Sequence, residues 1–152
     1  ITGYRLNVVD AACGSRFYNF EKTKDGGTTW TEVNGDPFDQ NMGVAEGLLF
    51  FTNDFGFAGL TYASEDFSML YVTKDGGETF ERLELPLDTV TELPSEAAEL
   101  GFTIEDYDYH TMPQIVDGKM EIYLQTDAME QQGIIFQSED NGVTWEYAGC
   151  KE

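Results

Sequence analysis

The sequence predicts an all-β protein assembled from three copies of one hairpin unit, on three observations. An eight-residue pattern recurs three times along the chain. Each copy lies between two short runs of β-branched and aromatic residues. Tyr, Phe, Trp, Val, Ile and Thr are plentiful over the 152 residues, while lysine and arginine together number 8, a composition suited to pleated, half-buried surfaces.

The first copy is Thr23-Lys24-Asp25-Gly26-Gly27-Thr28-Thr29-Trp30, and the second is Thr73-Lys74-Asp75-Gly76-Gly77-Glu78-Thr79-Phe80. The third is Ser138-Glu139-Asp140-Asn141-Gly142-Val143-Thr144-Trp145. Asp-Gly or Asn-Gly between two β-type runs is a strong short-range hairpin signal. Gly27, Gly77 and Gly142 supply positive φ without the penalty a Cβ brings. The residue before each is Gly, Gly and Asn, and Asn is the side chain that best tolerates that region. Asp25, Asp75 and Asp140 can accept backbone N–H bonds inside the turn, with hydroxyl bonds added by Thr23, Thr73 or Ser138 and by the later Thr. Trp30, Phe80 and Trp145 then anchor the outgoing strand.

Strands follow in order from the flanking runs. Before and after the first turn they are Tyr4 to Val9, Arg16 to Thr23 and Thr29 to Val33, with no evident strand ahead of them. Around the second turn they are Gly47 to Thr52, Gly56 to Ala63, Met69 to Lys74 and Thr79 to Leu85. Around the third they are Met112 to Val116, Lys119 to Thr126, Gly133 to Ser138 and Thr144 to Ala148. About eleven strands are therefore expected. Pro94-Ser95 followed by Glu96 predicts a short helical turn over residues 95–100.

All three segments match the Asp-box, or bacterial neuraminidase repeat, and the chain resembles sialidase-type β-propellers and their non-catalytic relatives over nearly its whole length. The resemblance implies propeller blades of four antiparallel strands, with the box joining the third and fourth strands at the periphery in a structural role. The family role then falls on Thr23, Asp25, Gly27 and Trp30, on Thr73, Asp75, Gly77 and Phe80, and on Ser138, Asp140, Gly142 and Trp145. One Asp-box repeat domain over 1–152 is expected, with blades near 1–38, 39–87 and 110–152 and an insertion at 88–109. Propellers usually need at least four blades to close. Three make an incomplete ring, completed by a homodimer or by the remainder of a longer chain, or else left as openly stacked blades; the first blade opening in mid-unit favours the longer chain.

A sialidase needs an arginine cluster for the substrate carboxylate, and guanidinium suits such planar anions. Only Arg5, Arg16 and Arg82 are present, none in the Phe-Arg-Ile-Pro type motif of the family, so no catalytic residue is assigned. The single histidine, His110, excludes a multi-histidine metal centre and most Ser–His–Asp schemes within this chain. Neither a Walker loop nor a dinucleotide fingerprint occurs, and no cofactor is expected. Glu105, Asp106 and Asp108 offer hard oxygen ligands for calcium, but their spacing fits no full EF-hand loop and no metal is assigned.

The net charge of −21 sets the chain against phosphate backbones and anionic lipid surfaces, which excludes nucleic acid as an expected partner. No run approaches the ~20 apolar residues of a membrane span, so no membrane insertion is expected. Loops carry function more often than scaffolds. The candidate binding loop is accordingly Glu105, Asp106, Tyr107, Asp108, Tyr109 and His110, with Tyr62, Phe55 and Phe57 as further aromatic platform candidates. Cys13 and Cys150 do not define a disulfide framework, and both the bridged and the free state stay open. The expected function is a non-catalytic, extracellular or cell-surface propeller module for a carbohydrate or protein ligand. The alternative is a piece of a sialidase-like glycoside hydrolase with its catalytic residues mostly outside this chain.

Overall fold

The computed structural model describes residues 1–62 and 67–152, and these form twelve strands in three antiparallel sheets. Two compact units divide the chain: Ile1–Glu65 with Met69–Leu83, and Asp66–Ser68 with Glu84–Glu152. All-β architecture is as the sequence predicts, and the sheets do not close into a barrel.

In the first unit, β1 (Gly3–Ala12), β2 (Ser15–Thr23) and β3 (Thr31–Asn34) form a three-stranded sheet in that order. The β1–β2 hairpin turns on Cys13 and Gly14, whose φ values of 52° and 83° are the paired positive angles of a twist-matched two-residue turn. β4 (Val44–Phe50), β5 (Gly56–Thr61), β6 (Ser68–Thr73) and β7 (Glu81–Arg82) form a four-stranded sheet, again in chain order. Ala63, the last residue of the strand predicted over 56–63, lies outside the described residues. β4 begins at Val44, ahead of the predicted Gly47, because a bulge beyond Ala45 lets it continue pairing with Leu60 and Thr61.

Aromatic rings join these two sheets. Tyr4 stacks on Phe50 with ring centroids 3.9 Å apart, and Phe20, fully buried, meets Phe50 face to face and Phe80 edge-on. A second cluster runs from Tyr18 through Phe38 to Tyr71, all buried. Its hydroxyls are not orphaned: Tyr18 accepts from the Ala45 N–H, and Tyr71 accepts from the Asn41 amide. Each well-oriented ring pair adds about 0.5–1.5 kcal/mol beyond the apolar area it removes from water.

The second unit holds a five-stranded sheet in which β12 (Glu146–Lys151), β11 (Gly133–Ser138) and β10 (Lys119–Gln125) run side by side. The far edge of β10 carries two short strands, β9 (Gln114–Val116) at one end and β8 (Tyr109–His110) at the other. The strand predicted over Met112 to Val116 is thus shortened to its last three residues, and β8 is a strand the sequence did not predict. Pro113 has no N–H for a ladder, and Thr111 fills the gap: its N–H donates to the Tyr123 carbonyl while its Oγ accepts from the Tyr123 N–H. Met120, Ile122, Leu124, Ile134 and Phe136 form the apolar face.

The predicted helical turn is present as α1 (Glu96–Leu100), ended by Gly101 at φ 74°. The outgoing strands β3, β7 and β12 each start two residues later than predicted. The threonine expected to open each strand has its N–H and hydroxyl taken by the turn aspartate instead.

Candidate functional site

The three turns share one bonding scheme. In the first, the Thr23 hydroxyl donates to Asp25 Oδ1 at 2.8 Å and accepts from the Gly27 N–H at 2.9 Å. Asp25 also accepts from the Thr29 N–H at 2.8 Å and the Thr29 hydroxyl at 2.6 Å. Thr73, Asp75, Gly77 and Thr79 repeat every one of these bonds, and so do Ser138, Asp140, Gly142 and Thr144. Backbone angles agree as closely: φ is 93°, 92° and 91° at Gly27, Gly77 and Gly142. The indole N–H of Trp30 and of Trp145 donates to the carbonyl of the turn glycine at 3.1 Å, a bond Phe80 cannot make.

Donors converging on a carboxylate favour its charged form. The Thr29 hydroxyl and N–H, with the Thr23 hydroxyl, hold Asp25 down at about 2. Thr144 and Ser138 do the same for Asp140, also to about 2. Burial pushes Asp75 the other way, yet the Thr79 and Thr73 donors prevail and its net shift is downward. Each of these exposed carboxylates accepts at least three bonds from its own turn, which commits most of its acceptor capacity locally.

The candidate binding loop is split by the structure. Glu105 and Asp106 are exposed, but Asp106 Oδ2 caps a short 3-10 turn (Ile104–Asp106) by accepting from the Thr103 N–H at 2.7 Å. Tyr107 is 2% exposed and donates to Glu96 at 3.2 Å, so it is an inward anchor and not a platform. Burial first, then the adjacent Glu96, raises its hydroxyl pKa. Tyr109 and His110 form β8, Asp108 is half-buried, and His110 Nδ1 lies 3.2 Å from the Asp108 carbonyl. Of the further platform candidates, Phe57 is fully buried against Phe51 and Phe55.

The rest of the insertion is tied to the end of its own sheet. The Ser95 N–H and hydroxyl both donate to the Glu152 carboxylate, while Tyr147 and Cys150 donate to the Glu92 carbonyl. Cys13 and Cys150 are free thiols. Among the described residues no three of His, Cys, Asp and Glu converge as metal ligands.

Arg5 pairs with Glu21 and lies 4.2 Å over the Trp30 ring, so its guanidinium is engaged on the sheet itself. Arg16 bridges Gly43 through its backbone, and Arg82 lies on the exposed β7.

One cluster escaped the sequence reading. On the second unit's sheet, the buried Glu121 accepts from the Tyr123 hydroxyl at 2.6 Å and from the Gln137 amide at 2.8 Å. Lys151 sits 4.9 Å over the Tyr123 ring. Burial, then the bond to Glu121, pushes Tyr123 up to about 12. The alternation in Lys119-Met120-Glu121-Ile122-Tyr123 signals a polar face, but cross-strand Gln137 becomes visible only once register is known. No helix among the described residues is long and apolar enough to cross a membrane. No protein-family model matches the chain, and no curated protein or solved structure matches it significantly.

Proposed function

We propose that this chain is a propeller-type module of Asp-box blades that binds or assembles with a carbohydrate or protein ligand and carries no catalysis of its own. The observation that carries this reading is the threefold recurrence of the same four bonds among the leading hydroxyl, the aspartate, the glycine and the later threonine. A turn with that much local commitment at the ends of three successive sheets is a scaffold device. In each sheet it joins the last two strands, β2 to β3, β6 to β7 and β11 to β12, the place the family resemblance assigns to it. The extracellular or cell-surface location rests on the resemblance alone. Fold likeness of this kind does not by itself name a ligand, since propellers host enzymes, receptors and assembly factors.

The Glu121–Tyr123 bond favours a second reading, a piece of a sialidase-like hydrolase. Against it, Arg5 is taken up by Glu21 and the Trp30 ring, and the family's arginine motif is not in the sequence. Incubation with fluorogenic sialosides and other glycosides separates the two. No turnover is expected. Hydrolysis abolished by Tyr123→Phe or by Arg5→Ala overturns the binding reading.

A further inference from the structure

The insertion of the second unit is fastened down at a place crowded with negative charge. Between Glu84 and Glu152 the basic side chains are Lys119, Lys151 and His110. Lys119 bonds Glu139, Lys151 lies over the Tyr123 ring, and His110 Nδ1 lies beside the Asp108 carbonyl. Three carboxylates come together instead where α1 begins: Glu96 on the helix, Glu130 on the connection between β10 and β11, and Glu152 just past β12.

Each is held from a different side. The Glu96 N–H donates to Gln132 Oε1 at 3.3 Å, and Glu96 Oε1 accepts from the buried Tyr107 hydroxyl at 3.2 Å. Glu130 Oε1 accepts from the Gln131 N–H at 2.7 Å and the Gln132 N–H at 3.0 Å. Glu152 accepts from the Ser95 N–H and hydroxyl. The Glu96 and Glu130 side chains are also hydrogen-bond partners of each other. Two carboxyl groups share a hydrogen bond only when one of them keeps a proton. The surroundings decide which one. Two backbone donors favour the charged form of Glu130 and lower it. Glu96 is half-buried, and burial raises it; the Tyr107 donor works against this, while Glu130 and Glu152 add to it. The other titratable neighbours bring no positive charge: Glu99 is exposed on the same helix, and Cys150 of β12 acts on Tyr107.

We propose that Glu96 and Glu130 form a pH-set latch: one proton held between the two carboxyl groups fastens the insertion to the β10–β11 connection, and its loss toward neutral pH loosens the insertion. In the fastened state the Glu96 carboxyl O–H donates to Glu130. Once the proton leaves to solvent, two carboxylates face each other beside a third, with no cation among the described residues to offset them. The raised Glu96 contributes its stability in full below its ordinary 4.5 and loses it as pH rises through the raised value. The lowered Glu130 has the opposite sign, and its contribution goes as pH falls through the lowered value. The latch is therefore closed between those two values and opens on the way to neutrality. The Glu92 carbonyl keeps its bonds from Tyr147 and Cys150 in either state, so the loosening is confined to residues 95–107.

This inference does not depend on which ligand the chain takes, and glycoside turnover does not bear on it. The experiment is amide hydrogen exchange of the whole chain, corrected for the intrinsic pH dependence of exchange, near the ordinary 4.5 of Glu96 and again near neutrality. Protection over residues 96–107 is expected to fall at least roughly threefold toward neutrality while β10 and β11 keep theirs. Glu96→Gln supplies a permanent donor and is expected to hold the acid level of protection at both pH values. Glu99→Gln removes the same charge from the exposed side of the helix and is expected to keep the loss. Equal protection at the two pH values in the unaltered chain overturns the proposal, as does a loss that persists in Glu96→Gln. A Glu99→Gln chain that behaves like Glu96→Gln assigns the effect to net charge and also overturns it. Should Glu96→Gln not fold, carbon-13 titration of Glu96 in a Glu130→Gln chain decides: Glu96 is expected to move down toward its ordinary value, and an unmoved Glu96 sinks the latch.

Discussion

The first turn, Thr23–Trp30, and the second, Thr73–Phe80, share their aspartate and hydroxyl bonding scheme and nearly the same backbone, yet they sit in different surroundings. Even their outside support corresponds: the Gly26 N–H donates to the Ile1 carbonyl and the Gly76 N–H to the Asp54 carbonyl, both at 2.9 Å. Above Gly27, however, a Cβ would meet only the Trp30 ring, at 3.7 Å. Above Gly77 it would lie 2.0 Å from the ring of the buried Phe20. Sequence sets the turn. Packing decides what the turn is worth to the rest of the molecule.

The largest expected effect breaks the pair apart. Gly77→Ala adds strain at positive φ and displaces Phe20, for a loss of about 3 kcal/mol or more. Gly27→Ala carries the backbone strain alone, about 1–2 kcal/mol. Urea unfolding of both variants checks this, and equal losses would show that Phe20 gives way freely.

Next come Thr23→Val and Thr73→Val, where each hydroxyl both donates and accepts and both residues are buried. Each substitution is expected to cost about 1–3 kcal/mol. The two should agree within about half a kcal/mol if the turn's bonds are as local as they look. A much larger loss at Thr73 would tie the bonds themselves to the setting.

Acid should loosen all three turns together. Asp25 and Asp140 sit at about 2, against an ordinary 3.8, and Asp75 is also lowered. Below about pH 4 the unfolded chain takes up protons that these folded carboxylates refuse, so stability falls until pH passes about 2. Glu96 has the opposite sign: burial raises it, so protonation of the folded chain adds stability as pH falls toward its ordinary 4.5. Relief of the −21 charge acts in the same direction as Glu96. Carbon-13 carboxyl titration gives the individual values, and ordinary titration of Asp25 and Asp140 would remove the effect.

Trp30→Phe is the smallest change. It converts the first turn's aromatic into that of the second, losing the indole bond to Gly27 and part of the Arg5 stacking. Less than about 1 kcal/mol is expected in thermal unfolding.

Much of the fold was legible because hairpin chemistry is local. The spacing of Asp, Gly and Thr in each turn and the β-type runs beside it located β2, β6, β10 and β11 within a residue or two. The outgoing strands were placed too early because Thr29, Thr79 and Thr144 are good strand formers whose N–H groups the aspartates claim. At the candidate site, a run of Tyr, Asp and His looked like an exposed loop. Tyr107 turned inward, since its ring fills the space beside Phe102 while its hydroxyl finds Glu96, 11 positions away.

The sequence by itself determined the turns: three glycines needing positive φ, three carboxylates with donors two and four positions away, and the period that makes the chain a repeat. Tertiary structure alone decided which edges are covered and which side chains meet across strands. Phe20 under Gly77 and Gln137 on Glu121 both depend on register and on sheet packing. Those contacts join residues far apart in the chain, and no local spacing encodes them.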